Sequence, residues 1–146
     1  LEIDITIIPK IIKIYDQLFN EHHHSNVLVG VREGLNSQKN YTIFKLGNKC
    51  VNLIFNLLYG TNFQDILCCL KIINREKMID FNLTSQGFDI ETEIMAQIAK
   101  RKMTVKECFI GYRSRSLKDG KKIKLLDSFS IFKKMIIQRL SWRSFH

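Results

Sequence analysis

The run Asn26-Val27-Leu28-Val29-Gly30-Val31 constrains the fold of this 146-residue chain more than any other feature. Its apolar side chains follow one another without alternation, which is typical of a strand buried on both faces. An apolar helical stripe over 9–20 precedes the run, and a polar loop over 33–40 follows it. Because 1–5 also reads as a strand, we predict a strand, helix, strand unit and an α/β fold.

Similar patterns predict the other elements. We expect helices over 41–59, 75–80, about 89–101 and 125–142, and strands over 66–73 and 104–112. The apolar face of the helix over 41–59 is predicted to consist of Ile43, Leu46, Cys50, Leu53, Ile54, Leu57 and Leu58. The helix over 125–142 combines apolar with basic residues, and we predict a basic amphipathic helical tail over 125–146.

The positive charge is concentrated near the end of the chain. From residue 100 onward lie 14 of the 23 Lys and Arg but only 3 of the 14 Asp and Glu, so this part carries +11 and the rest −2. Nucleic acid, an anionic membrane surface or a phosphorylated small molecule would each suit such a basic part.

The cysteines and the hydropathy bear on the location. Cys50, Cys68, Cys69 and Cys108 show no CxxC spacing, so we expect reduced, mostly buried thiols in a cytosolic protein. No apolar run reaches the ~18 residues of a membrane span. We therefore expect a protein that does not cross the bilayer, which leaves contact with a membrane surface open.

Acidic residues mark two candidate sites. Glu2 and Asp4 are two residues apart near a predicted strand end, where such carboxylates can share Mg²⁺ or Mn²⁺, although solvated surface acids would look the same. Asp65 precedes an apolar run. Glu91 and Glu93 fall in the first turn of a predicted helix, where acids also favour the helix dipole without any further role.

Basic residues mark the expected carboxyl ends of strands. Arg32 ends the buried strand, and ligands of open α/β sheets gather at such ends, although a surface arginine is an equal alternative. The stretch 112–123, YRSRSLKDGKKI, follows another predicted strand. Arginine forks, mobile lysines and a glycine turn suit a phosphate-binding loop, while a solvated basic loop fits these residues as well.

The order of these motifs resembles family 2 glycosyltransferases of the polyprenyl-phosphate (dolichyl-phosphate) mannose or glucose synthase type, over residues 2–139. The matching pieces are Glu2-Ile3-Asp4, Gly30-Val31-Arg32, Leu46-Gly47-Asn48, Asp65 with Cys68-Cys69-Leu70-Lys71, Phe88-Asp89-Ile90-Glu91-Thr92-Glu93-Ile94, Tyr112 with Arg115, Asp119-Gly120-Lys121-Lys122-Ile123, and Asp127. Glu2, Leu70 and Asp119 depart from the family pattern, in which Asp, Tyr and Glu stand at these places.

The resemblance implies a Rossmann-like GT-A fold, the nucleotide-diphospho-sugar transferase fold. The implied domain has a mixed sheet flanked by helices. Its catalytic portion is expected over 1–124 and the helical tail over 125–146. It also implies that the nucleotide-binding half precedes this chain, so that the domain is incomplete. Loss of the first strands would expose an apolar sheet edge, and we expect poor solubility or self-association.

The resemblance further implies inverting transfer of a hexose from a nucleotide sugar to a polyprenyl phosphate, at the cytoplasmic face of a membrane. The implied metal is Mg²⁺ or Mn²⁺, held by Glu2 and Asp4. The implied catalytic residues are Asp4, Asp65 and Arg115, and the implied substrate-binding residues are Arg32, Lys45, Asn48, Glu91, Lys121 and Lys122. The alternatives are a non-catalytic remnant of such an enzyme and, less favoured because no recognition motif accompanies the charge, a nucleic-acid-binding module.

Overall fold

The computed structural model describes residues 8–21, 26–33, 42–111 and 125–143. In chain order the elements are α1 (Ile8–Glu21), β1 (Asn26–Glu33), α2 (Thr42–Tyr59), β2 (Lys71–Ile73), α3 (Arg75–Ile79), α4 (Ile90–Lys100), β3 (Thr104–Gly111) and α5 (Leu125–Arg143). The predicted α/β class is confirmed, and the predicted bounds agree within one residue for every described element except β2. The strand expected over 1–5 lies outside the described residues.

The described strands form a mixed sheet in the order β2, β1, β3. β1 and β3 are parallel, with Asn26 level with Thr104 and Glu33 level with Gly111. β2 is antiparallel to β1, with Val29 level with Lys71. The parallel strands β1 and β3 therefore have their carboxyl ends at the same end of the sheet. The antiparallel strand β2 begins toward that end.

Helices cover both faces of the central strand. Val27 and Val29 point into a buried cluster that α2, α4 and α5 complete. Leu28 points to the opposite face, where Ile11 of α1 packs with Cys68 and Ile110. This burial on both faces explains why β1 lacks the alternation of a half-exposed strand.

The inner face of α2 differs from the predicted one. Val51, Phe55 and Tyr59 are buried, with the rings of Phe55 and Tyr59 stacked at a centroid distance of 4.4 Å. From the predicted face, Ile54 and Leu58 pack against the core. However, Leu46, Cys50, Leu53 and Leu57 are exposed. Because α2 carries apolar residues on most of its circumference, the apolar pattern alone did not define the buried side.

The strand predicted over 66–73 is too long, since β2 comprises Lys71–Ile73. The apolar residues before it form turns, in which the Cys68 amide donates to the carbonyl of Asp65 at 3.4 Å. Ile66 and Cys68 are buried within these turns. The run is apolar because the turns pack onto the core, which a strand interpretation does not distinguish.

Helix α5 packs onto the domain through part of its apolar surface. Ile131 and Met135 are buried against α2 and α4, and the Tyr59 hydroxyl donates to the Met135 carbonyl at 3.0 Å. Phe129, Ile136 and Leu140 instead face outward. None of the helices in the described part of the chain is long and apolar enough to span a bilayer.

Candidate functional site

The carboxyl end of β1 carries an ion pair between Arg32 and Asp65. The Arg32 Nε donates to Asp65 Oδ2 at 2.6 Å, and Nη2 donates to Oδ1 at 2.7 Å. The Arg32 backbone N–H also donates to Oδ2, at 3.3 Å. Both side chains are mostly buried, with 19% and 11% of their surface exposed. Two parallel hydrogen bonds fix the plane of the guanidinium, which a single contact would not.

Two asparagines of α2 hold the loop that presents Asp65. The Asn52 Oδ1 accepts from the Ile66 amide at 2.9 Å, and its Nδ2 donates to the carbonyl of Gln64. One turn later, Asn56 donates to the Phe63 carbonyl at 2.9 Å and accepts from the Phe63 amide at 3.0 Å. Because these bonds satisfy backbone groups on both sides of Asp65, the loop cannot shift without breaking several of them.

Strand β3, which lies at the edge of the described sheet, holds the same loop from the other side. Glu107 of β3 accepts from the Gln64 amide at 2.7 Å and from the Gln64 side chain at 2.9 Å. Asp65 is thus presented from a loop anchored to α2 and to β3.

Gly30 lets the segment after Asp65 approach β1 closely. A Cβ at this position would lie 3.1 Å from Cys68 Sγ and 3.1 Å from Leu70 Cβ. The Gly30 amide also donates to the Leu70 carbonyl at 2.9 Å. A Cβ two residues before Arg32 would therefore be crowded, which gives a physical reason for the glycine of the Gly30-Val31-Arg32 motif.

A second ion pair, between Lys71 and Glu91, joins the start of β2 to the first turn of α4. Only 4% of the Lys71 side chain is exposed. Its ammonium also donates to the Ile66 carbonyl at 3.3 Å and to the Cys68 carbonyl. Glu91 therefore has a specific partner and does more than favour the dipole of its helix.

The two cysteines between the ion pairs are poor nucleophiles. Burial raises the pKa of the Cys68 thiol to about 11. Burial also raises the pKa of Cys69, and the nearby Glu91 carboxylate acts in the same direction. Both thiols therefore stay protonated at neutral pH, which argues against a covalent role. The expectation of mostly buried thiols holds for Cys68 and in part for Cys108, whereas Cys50 and Cys69 are exposed.

Of the predicted site residues, the structure pairs Arg32 with Asp65, and it places Glu91 in the second ion pair, with Lys71. Lys45 lies in the first turns of α2, where the backbone alone is described, and none of the described contacts joins the partly buried Asn48 to the two ion pairs. Glu2, Asp4, Arg115, Lys121 and Lys122 lie outside the described residues. β3 ends at Gly111, level with Glu33, and the basic stretch 112–123 is the next segment of the chain.

The comparisons with known proteins give one partial match. The chain is 42% identical over 57 residues to glycosyltransferase AglJ of Haloferax volcanii. The chain is related to a glycosyltransferase. The match covers 39% of this chain and 19% of that relative's length. No protein-family profile matches the chain, and no solved structure matches it.

Sequence reasoning underrated three residues of this glycosyltransferase-related chain. Lys71 appeared within a motif without a role, and Asn52 and Asn56 were not singled out. One signal was available: Asn52 and Asn56 stand four residues apart in the second half of α2, where their neighbours are apolar, a spacing that places two side chains on one face.

Glu93 belongs to a separate, structural cluster. It is 1% exposed, and it accepts from the amides of Thr84 and Ser85 at 3.2 and 2.7 Å and from the Gln138 side chain at 2.9 Å. Burial raises its pKa, but hydrogen bonds from Ser85 and Thr84 outweigh burial, so the pKa is lowered. Glu93 thus ties the loop before α4 to α5.

Proposed function

We propose that the chain is part of an inverting glycosyltransferase of family 2, with a GT-A fold. It transfers a hexose from a nucleotide sugar to a polyprenyl or dolichyl phosphate, or to a similar acceptor. The observation that carries the proposal is the Arg32–Asp65 ion pair at the carboxyl end of β1, with the Lys71–Glu91 pair beside the same loop, in a chain related to a glycosyltransferase. Ligands of open α/β sheets bind at such ends.

The reaction that fits is a single displacement. An oxygen of the acceptor phosphate forms a bond to the anomeric carbon while the bond from that carbon to the diphosphate oxygen breaks. The electron pair leaves with the nucleoside diphosphate, and the configuration at the anomeric carbon inverts. The acceptor phosphate is already anionic near neutral pH, so the protein has to position two anions and to stabilise the leaving group.

The ion pair sharpens the role of Arg32. Asp65 takes two of the five guanidinium N–H donors and sets the direction of the others. Arg32 and Lys71 are balanced by Asp65 and Glu91, so the described cluster carries no net charge. We therefore assign Asp65 and Glu91 to positioning in the pocket, and the charge that attracts diphosphate to Arg115, Lys121 and Lys122. Lys45 and Asn48 are proposed to contact substrate from α2.

The described residues do not by themselves provide a metal site. No group of three His, Cys, Asp or Glu among them could hold a metal ion. The carboxylates of Asp65 and Glu91 are already bound by Arg32 and Lys71. The proposed Mg²⁺ or Mn²⁺ therefore depends on Glu2 and Asp4, and when bound it would supply charge to the leaving diphosphate.

We place the protein at the cytoplasmic face of a membrane as a peripheral protein, because the acceptor is a lipid. The outward-facing Phe129, Ile136 and Leu140 of α5, with the basic residues of the tail, support this location.

The test is transfer of labelled hexose from nucleoside diphosphate sugars to a polyprenyl phosphate, with Mg²⁺ or Mn²⁺. Arg32→Gln should lower kcat/KM by about 10²-fold, because the guanidinium N–H donors that Asp65 directs would be lost. Arg75→Gln, at an exposed arginine of α3, is the matched control and should leave kcat/KM unchanged. If the full-length protein that contains this chain forms no product and binds neither donor nor acceptor in calorimetry, the proposal fails.

A further inference from the structure

Two helices, α2 and α5, present large apolar side chains to solvent. Leu46, Leu53 and Leu57 of α2 are 67%, 60% and 75% exposed, and Ile136 and Leu140 of α5 are 52% and 58% exposed. We call these five residues the α2–α5 surface. A cleft lined by Leu57, Leu58, Ile136, Arg139 and Leu140 joins the two helices. Exposed apolar surface of this kind marks an interaction site in a soluble domain.

The exposed leucines of α2 lie on a different side of the helix from its core residues. Leu46, Leu53 and Leu57, together with the exposed Cys50, are spaced by four, three and four residues, which places them on one side of the helix. The core uses Val51, Phe55 and Tyr59 on another side. An outward stripe of leucines costs solubility without stabilising the described fold, so its presence indicates that something outside the described residues covers it.

The charges around the α2–α5 surface are positive. Lys49 on α2 and Lys133 on α5 are exposed, and the Arg139 guanidinium lies 5.9 Å from the centre of the Tyr59 ring beside the cleft. The sequence of α2 contains no Asp or Glu, and Asp127 in the first turn is the one acid of α5. Apolar side chains flanked by lysine and arginine match the interface of an anionic bilayer.

We propose that the α2–α5 surface docks onto an anionic lipid bilayer. The two helices lie along the interface, with the leucines among the upper acyl chains and Lys49, Lys133 and Arg139 near lipid phosphates. Docking through α2 extends the membrane location proposed above from the tail to the body of the domain. A second copy is the weaker alternative, because two such surfaces facing each other would bring like charges together.

Vesicle co-sedimentation without sugar donor tests this inference separately from glycosyl transfer. The chain should bind vesicles containing about one third phosphatidylglycerol at least about tenfold more tightly than pure phosphatidylcholine vesicles, and salt should weaken the binding. The double variant Leu53→Ser/Leu57→Ser should lose at least about tenfold in affinity, since two apolar anchors are removed. Ile79→Ser on α3 is the matched control, because Ile79 is equally exposed, at 61%, but lies off the surface.

Cys50 provides a second readout in the unmodified protein. Anionic vesicles should protect the exposed Cys50 from a membrane-impermeant maleimide, whereas pure phosphatidylcholine vesicles should leave its labelling rate unchanged. Equal affinity for neutral and anionic vesicles, or no protection of Cys50, would overturn the inference. So would a dimer in analytical ultracentrifugation that Leu53→Ser/Leu57→Ser abolishes while vesicle binding is absent. Circular dichroism shows whether the variants are folded.

Discussion

Arg32 and Asp65 lie 33 residues apart in the sequence and meet through hydrogen bonds of 2.6 and 2.7 Å at the carboxyl end of β1. The pair links the central strand to the loop between α2 and β2. Because neither side chain is more than one fifth exposed, each charge depends on the other for its stability in the folded chain.

Asp65→Asn should therefore destabilise the fold. The substitution keeps the shape of the side chain but removes the carboxylate charge that Arg32 binds. We expect the free energy of unfolding, measured with urea, to fall by about 2 kcal/mol. Asp80→Asn removes an exposed carboxylate and should change the free energy of unfolding by less than about 0.5 kcal/mol. Equal effects of the two variants would show that the ion pair adds no stability.

Asn52→Ala tests whether α2 holds the loop of Asp65. The Ile66 amide would lose its acceptor at 2.9 Å, and leaving a partly buried N–H unpaired should lower the free energy of unfolding by about 1–2 kcal/mol. Asn48→Ala, one turn earlier on the same helix, is the matched control, because replacing asparagine by alanine raises the helix propensity equally at both positions. A loss of stability in Asn48→Ala as large as that in Asn52→Ala would contradict the assignment.

Gly30→Ala tests the close approach between β1 and the segment around Cys68. The new methyl would meet Cys68 Sγ and Leu70 Cβ at 3.1 Å. The hydrogen bond that the Gly30 amide donates to the Leu70 carbonyl, at 2.9 Å, keeps that segment from moving away. We expect a loss of about 1–3 kcal/mol in thermal or urea unfolding.

Gly47 is the natural control for this variant. It lies inside α2, and nothing lies within 4 Å of a Cβ added there. Gly47→Ala should therefore stabilise the chain by about 0.5–1 kcal/mol. Opposite signs for the two glycine variants would support the packing argument, and a stabilising Gly30→Ala would refute it.

The extent of sequence prediction differed between elements for physical reasons. β1 could be predicted because burial on both faces produces an uninterrupted apolar run, and α4 because Ile94, Met95 and Ile98 form one stripe. The buried side of α2 could not be predicted, since apolar residues occupy both its core side and its outer side. Which side faces inward depends on tertiary contacts, among them the bonds from Asn52 to the loop.

The site was predictable residue by residue but not as an arrangement. Arg32 followed from its place at a strand end, whereas Asp65 and the role of Glu91 rested on the family resemblance. The pairing of Arg32 with Asp65 and of Lys71 with Glu91 depends on turns within 66–70. These turns were predicted as strand because their residues are mostly apolar. The neutrality of the described cluster, and hence the positioning role of its carboxylates, became visible only with these pairings.

The Glu93 cluster predicts a pH dependence of stability. Hydrogen bonds from Ser85 and Thr84 outweigh burial and hold the pKa of Glu93 below its ordinary value of 4.5, with Lys134 at 3.6 Å as the nearest described cation. A carboxyl group with a lowered folded-state pKa stabilises the fold above its unfolded pKa. The contribution is lost as the pH falls through the folded-state pKa.

Glu93→Gln makes this contribution measurable. At pH 7 the variant should lose about 2 kcal/mol in urea unfolding, because an amide N–H₂ would replace an oxygen that now accepts from the loop. The difference from the unmodified chain should shrink below about pH 4.5, as the carboxyl group of the unmodified chain becomes protonated. Glu76→Gln, at an exposed residue of α3, should show no such convergence. A difference between Glu93→Gln and the unmodified chain that stays constant into acid would mean that the charge of Glu93 does not stabilise the fold.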